Sequence, residues 1–125
     1  MKKIYNFTRL AFKTTDENSN IQEAMLATFP EAEWNESREA SCFKSFSLRN
    51  YLIDALFENA DDAKREVAHE FDVYSENMLV FSLRCPNVEL RLRKEPLLAD
   101  AKFEIVDFVQ YSDSAPREYY YYDIF

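Results

Sequence analysis

None of the 125 residues is glycine. Ordinary usage of about 7% would place roughly nine in a chain this long. Every backbone position that needs a left-handed conformation must therefore be met by Asn, Asp or another residue able to tolerate it. Every loop that depends on close backbone approach to a phosphate is excluded, which removes the P-loop and the dinucleotide fingerprint. The strained strand-to-helix elbow that presents a hydrolase serine is excluded as well. Turns are expected where Asn, Asp, Ser and Pro gather, in "TTDENSN", "FENADD", "CPN" and "SDSAP".

Between those turns the pattern predicts a single α+β domain over residues 1–125. Residues 2–13 alternate Ile4, Leu10 and Phe12 against Tyr5, Phe7 and Ala11, a strand with apolar groups on both faces. Ser19 and Gln22 form an S-x-x-Q box ahead of "IQEAMLATF", which predicts a short helix ended by Pro30. Residues 47–58 predict a second helix, capped by Ser47, with Leu48, Leu52, Ala55 and Leu56 as its apolar stripe. Asn59 starts a third, with Ala63, Val67 and Phe71 facing inward. From residue 77 the period changes to two. "NMLVFSLRC" and "VELRLRK" read as a hairpin turning at Pro86 and Asn87. "KFEIVDFVQY" places Phe103, Ile105, Val109 and Tyr111 on one face, and "REYYYYDIF" has strand propensity. The architecture expected is an antiparallel sheet of four to six strands from the N- and C-terminal parts, with two or three helices from the middle packed on it.

No stretch approaches the 18 to 20 apolar residues of a membrane span, and Asn6, Thr8 and Arg9 interrupt the start where a secretory signal would be continuous. Cys42 and Cys85 are too few for a metal quartet, so a reduced, cytoplasmic chain is expected, with one bridge between the two left open. No cofactor or metal is implied.

Enzymatic chemistry has little to stand on. His69 is the sole histidine, and on the expected third helix it would sit on an ordinary surface without the partners of a triad or a metal site. Asp107, inside "EIVDFVQ", is expected to point outward by strand alternation. The basic group Arg84, Arg91, Arg93 and Lys94 could suggest single-strand binding, but Arg91 and Arg93 share a face with Glu89, as on a solvated strand. The chain is therefore expected not to be an enzyme and not to touch nucleic acid directly.

Charge carries the functional expectation. The chain holds 23 acidic and 15 basic residues, a net charge of −8. Residues 54–76 contain eight acidic groups against Lys64 and Arg65, a balance of −6; residues 16–39 contain seven against Arg38, again −6. Those two segments exceed the whole-chain charge, so the remainder is positive by 4. A merely soluble surface mixes its signs; segregation favours a directed electrostatic role. Asp54, Glu58, Asp62, Glu66 and Glu70 recur every four residues with Asp61 beside them, an arrangement that costs about 0.2–0.5 kcal/mol per like-charge pair on an isolated helix. The expectation is an acidic face that occupies the basic, nucleic-acid-facing surface of a partner protein, as DNA mimics, nuclease inhibitors and immunity proteins for nuclease toxins do. Asp54, Glu58, Asp61, Asp62, Glu66 and Glu70 would form the mimicking stripe. Glu31, Glu33, Glu36 and Glu39 would form a second row with Trp34 as an apolar anchor. The alternative is an interaction or assembly module that uses the aromatic C-terminal strand, Tyr119 to Tyr122, with acidity serving solubility; a monomer or a weak homodimer through that strand fits either reading.

Overall fold

In a computed structural model, residues 4–34 and 41–112 are described. Five strands form one antiparallel sheet: β1 (Tyr5–Thr14), β2 (Cys42–Phe43), β3 (Ala68–Ser75), β4 (Met78–Pro86) and β5 (Phe103–Ser112), in the order β2-β3-β4-β1-β5. Three helices, α1 (Ile21–Thr28), α2 (Phe46–Leu56) and the single turn α3 (Ala60–Ala63), complete a single α+β domain. The domain buries one face of the sheet. Leu10 and Phe12 from β1, Phe71 from β3 and Leu79, Phe81 and Leu83 from β4 meet Ile21 and Met25 of α1 and Leu48, Leu52, Ile53 and Leu56 of α2. A row of rings crosses this layer, with Trp34 at 5.0 Å from Phe43, Phe43 at 5.3 Å from Phe71, and Phe71 stacked on Phe81 at 4.5 Å.

The left-handed positions fall where a glycine-free chain must put them. Asn87 has φ 43° and Asp100 φ 54°, and these are the side chains that best tolerate that region. The caps of α1 and α2 lie one and two residues from the expected ones. Asn20, rather than Ser19, accepts from the Glu23 amide at 2.8 Å. Ser45, rather than Ser47, caps α2 by accepting from Leu48. Ser47 instead accepts the Glu33 amide at 2.8 Å while the Ser45 hydroxyl donates to the Glu33 carbonyl at 2.7 Å, which fastens the segment carrying Trp34 to α2.

Two expected elements are replaced. The third helix stops after Ala63, and residues 68–75 are strand β3. Ala63, Val67 and Phe71 fit a helical spacing, but His69, Phe71 and Val73 also fit a spacing of two. Pairing Phe71 against Phe81 on β4 selects the second pattern and leaves Val67 55% exposed. Residues 88–94 are accordingly no hairpin partner of β4, because β1 and β3 already flank it. They leave the sheet after Pro86 and run across the end of α2. Glu58 N–H donates to the Arg91 carbonyl, Arg93 N–H donates to the Leu56 carbonyl, and Phe57 bridges to Leu92.

A β-bulge at Val106 changes one face assignment. Ala11 pairs with Asp107 and Phe12 with Ile105, so Val106 is left over. Phe103 and Ile105 therefore share the core face with Phe108. Val109 and Tyr111 go to the other face, not the one expected. Among the described residues no helix covers that other face. It carries Phe7, Arg9 and Ala11 on β1, Glu70, Asp72 and Tyr74 on β3, Val80 and Ser82 on β4, and Asp107 on β5. Phe7 is nonetheless fully buried, stacked on Tyr111 at 5.6 Å with the Arg84 guanidinium 5.4 Å from its ring.

Candidate functional site

Replacing the third helix by a strand dismantles the expected stripe. Asp54, on the outer side of α2, is paired with Lys64 at 2.6 Å. Glu58, in the turn after α2, is paired with Arg91 at 3.5 Å. Asp62 lies 4.0 Å from Arg65 and accepts from Asn59 at 3.4 Å, while Asp61 beside it is exposed. Glu66 is buried between α3 and β3, and Glu70 points to the sheet face opposite the helices. Four of the six carboxylates are thus held by neighbouring basic groups and are not a continuous row. In the second group, Glu31 and Glu33 are exposed and Trp34 is half-buried against Phe43; Glu36 and Glu39 lie outside the described residues. So does the Tyr119 to Tyr122 run.

Glu66 is the centre of a buried polar network. Arg49 on α2 donates from Nη1 to Glu66 Oε1 at 2.5 Å, and from Nε and Nη2 to Asn50 Oδ1 at 3.1 and 2.7 Å. Its guanidinium also lies over the Phe46 ring at 5.0 Å. His69 on β3 is not on a helix surface but buried at 2% exposure, with Nδ1 3.3 Å from Glu66 Oε1 and its ring edge-on to Phe46. Donation from Nδ1 leaves Nε2 as an acceptor, and Nε2 has no hydrogen-bond partner among the described residues. Burial raises the Glu66 carboxyl pKa, but the hydrogen bonds from His69 and Arg49 and their charges outweigh it, and the group lies below its ordinary value.

Cys85 lies in the same layer, and burial, with the Glu66 charge adding to it, pushes its thiol up to about 12. A thiol so poised is protonated and unreactive at neutral pH. The network ties α2 to β3; it does not activate a nucleophile. Cys42 and Cys85 are both free, one exposed on the edge strand and the other buried against the helices.

Six further carboxylates line two concavities, while others such as Asp61, Glu31, Glu33 and Glu104 are exposed elsewhere on the surface. One concavity, of about 360 Å³, lies at the β3–β4 turn and the start of α1, lined by Glu17, Glu23, Glu76 and Trp34 with no Lys or Arg among the described residues. The other, of about 510 Å³, lies on the sheet face that no described helix covers, lined by Glu70, Asp72, Tyr74 and Met78 on one side and by Arg9, Ala11, Val80 and Asp107 across it. Six carboxylates and one arginine therefore line the two together. Among the described residues none of the six is in an ion pair.

Sequence reasoning placed only Glu70 of these six in the candidate site. The missed signal was the alternation Glu70, Asp72, Tyr74, which shares its spacing with the core-facing His69, Phe71 and Val73. No group of His, Cys, Asp and Glu able to hold a metal ion occurs among the described residues, and none of their helices is long and apolar enough to cross a membrane. Set against known proteins, the chain matches no family model, no curated protein and no solved structure.

Proposed function

We propose that this chain is a non-enzymatic acidic binding protein that occupies the basic, nucleic-acid-facing surface of a partner protein, in the manner of a DNA mimic or an immunity protein for a nuclease toxin. The observation that carries the reading is the separation of its carboxylates into two populations. Asp54, Glu58, Asp62 and Glu66 are satisfied by Lys64, Arg91, Arg65 and Arg49 and so serve the fold. Glu17, Glu23, Glu76 and Asp107 are exposed, and Glu70 and Asp72 half-buried, around concave surfaces. Carboxylates displayed without partners repel one another across the folded surface, a cost that a basic partner relieves. Such a partner is steered in by long-range attraction, which salt weakens over a Debye length of about 8 Å at physiological strength.

The test is capture of basic proteins from a lysate on immobilised protein, eluted with rising salt and then assayed for DNA binding. Three charge-reversed variants localise the effect. Glu17→Lys/Glu23→Lys/Glu76→Lys and Glu70→Lys/Asp72→Lys lower capture more than Asp54→Lys/Glu58→Lys, which changes the net charge as much as the second but away from the concave surfaces. Capture that resists salt, or that all three variants retain, rejects the proposal.

A further inference from the structure

We draw no further inference here: the strongest candidate, the concavity at the β3–β4 turn and the start of α1, is an acidic cluster that belongs to the site already described, and among the described residues nothing shows what it would hold.

Discussion

Replacing Glu66 by Ala removes the acceptor at the centre of the buried network, and the structure sets the size of the consequence. The Arg49 and Glu66 side chains are only 11% and 6% exposed, so neither group regains much water when its partner is lost. Breaking a buried pair by removing one member costs about 3–5 kcal/mol, mostly because the remaining charge is uncompensated. Arg49 keeps its bonds to Asn50 and its seat over Phe46, which places the expected loss near the lower end, about 3 kcal/mol. At roughly 3–5 °C per kcal/mol for a chain of this length, the melting temperature falls by about 10 °C. Urea unfolding followed by far-ultraviolet circular dichroism measures the loss directly. Arg49→Leu/Glu66→Leu, which removes both charges, is expected to be more stable than Glu66→Ala alone. The pH dependence carries a definite sign. The folded Glu66 pKa is lowered from the ordinary 4.5, so its contribution is present above that value and fades as pH falls below it through the folded pKa. Glu66→Ala therefore loses part of the wild-type drop in stability on acidification. A loss under about 1 kcal/mol for the single variant, or a double variant no more stable than the single, would refute a buried charge network.

Two further outcomes follow from particular residues. Iodoacetamide is expected to modify one thiol per native chain, at Cys42, and a second only in denaturant. Burial first, and then the charges of Asp72 and Glu70, raise the Cys42 pKa, so the native reaction is slower than that of a free cysteine and quickens in Asp72→Asn; rapid native labelling of Cys85 contradicts its burial. At Asn87, with φ 43°, Asn87→Gly is expected to be neutral or slightly stabilising and Asn87→Ala to cost about 1 kcal/mol, read as the shift in urea midpoint; equal stability of the two would remove the left-handed strain from that turn.

The α+β class, the two-sided apolar character of β1, the apolar stripe of α2 and the turns at Asn and Asp were legible because each depends on local pattern. The candidate site was legible only in part. Charge segregation along residues 54–76 is real, but which of those carboxylates face solvent without a partner depended on residues far away in the chain. Lys64 reaches back to Asp54, Arg91 to Glu58 and Arg49 across to Glu66. Linear spacing carries no trace of those distances.

Residues 63–73 hold the main ambiguity, since their apolar groups satisfy a period near four and a period of two together. A sheet position beside β4, where Phe71 stacks on Phe81 at 4.5 Å, resolves it through long-range burial that no window of sequence contains. The bulge at Val106 acts in the same way, turning Val109 and Tyr111 to the opposite face through a single unpaired residue. The amino-acid sequence by itself determined that the chain is acidic, glycine-free and able to close one apolar layer. Only the tertiary structure decided which carboxylates are spent on holding the fold and which remain displayed, because pairing is settled by distance in space and burial by the elements that happen to pack above.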